Sequence, residues 1–158
     1  MIVKSERLGN VEIDAGDIIT FPAGIVGFPG EREFVLIRLK TSSPVGWLQS
    51  VKSSYLTLPV VSAHALPPRF PDVVIEDQTE RLGLGRDSEA FAVLAVLSAP
   101  SGEPATVNLM APIIVNAKTR IGAQVVLEGT HFSTREVFVL AREGSHDIEA
   151  TPLAPSEP

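Results

Sequence analysis

Side chains with the chemistry to act as ligands, bases or nucleophiles are scattered along this chain. His64, His131 and His146 share no H-x-H or H-x-x-x-H spacing and predict no metal site. The chain has no cysteine, which excludes disulfides, Cys-ligated zinc and thiol catalysis. Ser50, Ser53, Ser54, Ser98 and Ser101 lie in no G-x-S-x-G elbow. Glu76 and Asp77 are adjacent, so their carboxyls diverge in a strand and are solvated in a turn; neither geometry makes an acid–base dyad. "LGLGRD" lacks the spacing and the following Lys-Ser/Thr of a phosphate loop, and the glycines of "GIVGFPG" read as a backbone bend. These residues predict no enzyme, no metal and no bound cofactor.

The polar groups that do stand out are amides and acids. "TVNLMAPIIVNAKTRIGAQVVLEG" (106–129) sets Asn108, Asn116 and Gln124 among residues suited to a core. Two readings are open for them. They satisfy backbone groups at turns or bulges, where Pro112 interrupts a strand ladder, or they contact a partner. Trp47 and Gln49 in "GWLQSV" carry the same ambiguity, and they share a face if that stretch is a strand. Asp72, Glu76, Asp77, Glu80, Asp87 and Glu89 stand against only Arg81 and Arg86, whereas 31–71 is mildly basic. The acidic stretch is either a solvated face or a surface for a basic partner. A formal net charge of −6 argues against direct nucleic-acid binding, which needs clustered Lys and Arg.

The elements that must position these groups are short strands. Thirteen prolines and twelve glycines divide the chain into brief segments rich in Val, Ile, Leu, Phe and Thr. That pattern predicts an all-β, mainly antiparallel fold, a small barrel-like single domain with at most one or two short helices. Expected strands are 2–7, 11–14, 18–21, 34–39, 46–51, 56–62, 73–75, 90–97, 106–109, 113–116 and 124–127, with weaker signals at Phe132 and 137–140. "AFAVLAVL" (90–97) has no polar alternation and reads as a central strand buried on both faces. "EDQTERLGLG" has the character of one short helix ending at Gly83.

The domain should occupy 1–140. From 141 to 158 the chain is acidic and holds too few apolar residues to pack, so a disordered tail is expected there. "MIVKSERLGNVEID" contains no apolar signal region, and the longest apolar run is too short to cross a bilayer. The expected location is the cytoplasm, with no membrane partner.

Three stretches taken in order resemble one family. "ITFPAGIVGFPGEREFVLI", "GWLQSV" and "TVNLMAPIIVNAKTRIGAQVVLEG" are similar to the flagellar assembly factor FliW. The resemblance covers most of residues 1 to 132, with Val26 standing where the family often has proline. It implies a non-enzymatic β-barrel-like adaptor, monomeric when free, that binds flagellin. When free of flagellin it binds and antagonises CsrA, the translational repressor of flagellin mRNA. Synthesis of flagellin would thereby be coupled to its assembly. On this reading Asp72, Glu76, Asp77, Glu80, Asn108 and Asn116 are candidate partner contacts. The rival is a small β-barrel enzyme or a barrel that binds a small molecule in a pocket built from loops.

Overall fold

The computed structural model describes residues 1–38, 43–62, 65–67, 70, 74, 91–127, 131–139 and 151–152. Its strands are β1 (Ile2–Ser5), β2 (Gly9–Glu12), β3 (Ile18–Thr20), β4 (Glu33–Arg38), β5 (Val45–Ser50), β6 (Thr57–Ser62), β7 (Phe91–Ser98), β8 (Thr106–Asn116), β9 (Ile121–Gln124), β10 (Glu136–Val137) and β11 (Thr151–Pro152). One 3-10 turn, Ala15–Asp17, precedes β3 and is held by reciprocal Asp14 and Asp17 capping bonds. The all-β expectation holds. No helix among the described residues is long and apolar enough to cross a membrane. The expected strand at 73–75 and the helix near Gly83 lie outside the described residues.

Strands β3 to β9 form an up-and-down meander in which each pairs antiparallel with the next. An antiparallel meander of seven strands leaves its first and last strands pointing the same way, so closure must be parallel. It is: Thr20 of β3 pairs with Ile121 of β9. The seam is short. It is reinforced by the Thr20 N–H donating to the Arg120 carbonyl at 2.8 Å. Gly122 keeps it tight, because a Cβ there would lie 2.6 Å from Cε1 of Phe21.

Alternation along the strands divides the apolar residues between the barrel interior and two outer layers. Phe34, Leu48, Val60, Leu94, Ile113 and Val115 point inward with Phe21 and Ile25. Phe21 and Phe34 meet edge to face at 5.6 Å, a preferred aromatic geometry. Val35 and Ile37 face outward and are covered by Val3, Val11 and Ile13 of the β1–β2 hairpin. On the far side, Val61, Val93, Ala95, Leu109 and Ile114 face out beneath Leu66, Phe70 and Val74. β7 therefore contributes Leu94 to the interior and Val93 and Ala95 to an outer layer, all at most 2% exposed. The run without polar alternation is indeed a strand buried on both faces.

Two strands differ from expectation. Residues 106–116 form one strand interrupted by a bulge, not two strands: Leu94 pairs with Ile113 and Val96 with Asn108, so Ala95 faces Leu109 through Pro112. β9 begins at Ile121 rather than Gln124, because the turn after Asn116 returns the chain to pairing sooner. Within the expected tail, Thr151 and Pro152 pair with Arg38 and Ile37 on β4; 140–150 and 153–158 lie outside the described residues.

Candidate partner-binding surface

The bulge in β8 leaves backbone groups that the β7 ladder does not reach. The Asn108 carboxamide oxygen accepts the N–H of Met110 at 3.0 Å and of Ala111 at 3.2 Å. The Leu109 N–H goes to the Ser133 carbonyl, and Pro112 has no N–H to satisfy. The carbonyls of Met110 and Pro112 accept from Leu127 and Val125. That of Ala111 accepts from Gln124 Nε2 at 3.0 Å. Each of these groups would carry a cost of about 1–3 kcal/mol if buried without a partner. Asn108 and Gln124 prevent that at the centre of the bulge.

Gln124 reaches in a second direction. Its Oε1 accepts the Val26 N–H at 2.9 Å, tying β9 to loop 22–30. Asn116 does similar work one turn away: its Oδ1 accepts from Lys118 and Thr119, and its carbonyl from Arg120. Arg120 has a φ of 58°, which this turn imposes on a non-glycine residue. All three amide oxygens thus accept backbone N–H groups.

Gln49 is fully buried. Its Nε2 donates to the carbonyls of Ser50 and Ser53, and Thr57 Oγ1 donates to its Oε1, so it pins the β5–β6 connection. Beside it, the Glu31 carboxylate accepts hydroxyl bonds from Ser53 and from Ser50, the latter at 2.8 Å. Those bonds, Ser53 first, hold the Glu31 pKa below the ordinary glutamate value, with Lys52 assisting. This carboxylate clasp escaped sequence reading. Nineteen or more residues separate Glu31 from its serines, and no spacing rule links them. Trp47 is half-buried against the β1–β2 layer, with the Arg7 guanidinium 4.7 Å from its ring centroid.

Loop 22–30 is folded back on itself by its own backbone bonds. Ile25 and Phe28 exchange backbone bonds across a Val26-Gly27 turn, with Gly27 at φ 88° where a turn of this kind needs a positive value. Gly24, at φ 73°, sits so close that a Cβ would lie 2.6 Å from the Pro29 carbonyl oxygen. Ile25 is buried in the barrel while Val26 is 60% exposed. The glycine spacing of "GIVGFPG" was the legible signal for this bend.

Asp72, Glu76, Asp77 and Glu80 lie outside the described residues. His131 is exposed, and His64 and His146 fall outside the described residues. Among the described residues, no group of three or more His, Cys, Asp or Glu side chains is placed to hold a metal ion. One open cleft of about 250 Å³ lies outside the barrel, lined by Leu66, Pro67, Val107 and the 136–139 segment.

The comparisons agree on one family. A family model described as FliW protein matches residues 2–138. The flagellar assembly factor FliW of Thermotoga neapolitana is 37% identical over 139 residues, covering 87% of this chain and 93% of that protein. The flagellar assembly factor FliW of Geotalea uraniireducens is 34% identical over 138 residues, 87% of this chain and 84% of that one. A crystal structure of the flagellar assembly factor FliW superposes with a TM-score of 0.75 at 29% identity, covering 87% of this chain and 96% of the other. With sequence, family model and fold in agreement over nearly the same span, the chain belongs to the FliW family.

Proposed function

We propose that this protein is a non-enzymatic, cytoplasmic flagellar assembly factor that binds flagellin and, when free of it, binds and antagonises CsrA. The observation that carries the reading is the family match over residues 2–138, shared with relatives named as flagellar assembly factors. Flagellin occupies the adaptor while it accumulates, leaving CsrA free to repress; export of flagellin returns the adaptor to CsrA. The acidic stretch holding Asp72, Glu76, Asp77 and Glu80 suits a basic RNA-binding protein, because opposite charge speeds encounter and repels RNA. Asn108 and Asn116 serve this function by holding the shape of the surface, their Oδ1 atoms being engaged by backbone N–H groups.

The barrel interior is consistent with an adaptor rather than a ligand-binding barrel. Phe21, Phe34, Leu48 and Ile113 fill it and have no exposed surface. Small barrels with filled interiors present their chemistry on the outside. Titration calorimetry with purified flagellin and, separately, purified CsrA tests the proposal. A one-to-one complex with each is expected; heat from neither would refute it.

A further inference from the structure

We propose that the edge of β4 at Leu36–Arg38 is a strand-docking site, filled in this structure by the chain's own Thr151–Pro152 segment, which thereby competes with an extended polypeptide docking there. β3 begins at Ile18, opposite Val35, so on that side it pairs with β4 only from Glu33 to Val35. On the other side β5 accompanies β4 as far as Ile37. β3 cannot run further back along β4. In the same register Asp17 would stand opposite Leu36, but its N–H is turned to the Asp14 carbonyl at 2.9 Å in the 3-10 turn. A short length of β4 backbone is therefore left uncovered by β3, and a strand can add there.

Alternation along β4 decides which groups face that edge, because successive residues direct their N–H and C=O to opposite sides. The Glu33 carbonyl accepts from the Val51 N–H at 3.0 Å, on the β5 side, and the Arg32 carbonyl accepts from Phe21 at 2.7 Å, on the β3 side. Val35 and Ile37 therefore bond toward β5, while Leu36 and Arg38 direct their groups to the edge. Both residues are buried, 7% and 4% exposed, and buried backbone polar groups require partners. β11 meets that requirement at Arg38, with which Thr151 pairs. Pro152 falls opposite Ile37, whose groups are committed to β5, so its missing N–H costs the ladder nothing. The same missing donor faces outward and discourages a further strand, a common protection of sheet edges. Two paired residues make a short ladder, of the kind that opens at low free energy. The tether through residues 140–150 keeps the segment at high effective concentration beside its own site.

The test is amide hydrogen exchange on the full chain, read residue by residue by NMR. In the wild type the Arg38 and Thr151 amides should both exchange about tenfold or more slower than in an unstructured chain. Thr151→Pro removes the N–H that pairs with the Arg38 carbonyl. It should speed Arg38 exchange about tenfold or more and leave Ile37 unchanged, since the bonds of Ile37 go to β5. A synthetic peptide with the sequence of residues 147–158 should restore Arg38 protection in the variant. The same peptide should bind the wild type about tenfold or more weakly than the variant, because the tethered segment already occupies the site. Thr151 exchanging at the unstructured rate in the wild type would overturn the proposal. So would Arg38 exchange that the substitution leaves unchanged, or a peptide that binds both proteins alike or neither. If Ile37 also accelerates, the variant has loosened generally, and the wild-type Thr151 rate decides. Arg38 protection that rises with protein concentration would overturn the assignment too, placing the segment of a second copy at the site.

Discussion

A single carboxamide can decide whether an irregular strand is tolerable. Asn108 accepts two N–H groups freed by the β8 bulge, so Asn108→Ala should destabilise the protein by about 1–3 kcal/mol. Asn108→Asp retains an acceptor at the same place and should recover much of that loss. Denaturant midpoints of the two variants check this; equal losses would mean the bonds contribute nothing. Glu31 makes a second, pH-dependent prediction. Its folded pKa lies below the ordinary value because the neutral acid loses the charge-assisted bonds from Ser53 and Ser50. The stability it contributes is complete above the ordinary glutamate value and is lost as pH falls from there through the lowered folded pKa. Wild type minus Glu31→Gln stability, measured from neutral to acid pH, should shrink across that window. A constant difference would contradict it.

At the scale of elements, the seam between β3 and β9 is sensitive to a small change. Gly122→Ala drives a methyl to within 2.6 Å of the Phe21 ring, which has no exposed surface and nowhere to withdraw. Overpacking of this kind costs about 1–3 kcal/mol. A melting temperature equal to wild type would show that the seam yields. This level also marks what the sequence disclosed. Turn residues and β-branched runs made the meander legible, and the apolar run at 90–97 foretold a strand buried on both faces. Pro112 pointed to a broken ladder, but not to a strand that continues past it. That depends on Gln124 at the end of β9 and Leu127 just beyond it supplying the bonds. The β9 start at Ile121 and the Glu31 clasp are likewise products of tertiary pairing, with no local periodicity to announce them. Of the candidate site, the amides and the glycine-rich bend could be singled out by residue type, whereas the Gln124 bond joining loop 22–30 to β9 needed the fold.

For the whole molecule, the proposed function depends on one protein serving two partners in turn. The acidic stretch should govern how quickly CsrA arrives, since rim charges act on association and salt dependence more than on dissociation. Glu76→Lys/Asp77→Lys should therefore slow CsrA association severalfold or more and flatten its response to ionic strength. Stopped-flow kinetics at two salt concentrations reads this, and identical rates would reduce the stretch to a solvated face. The most direct test of the central claim is a competition titration on the wild-type protein. With labelled CsrA bound, rising flagellin should release it, and by linkage CsrA should weaken flagellin binding by the same factor. CsrA that stays bound at saturating flagellin would contradict the account, because synthesis and assembly could not then be coupled through this protein.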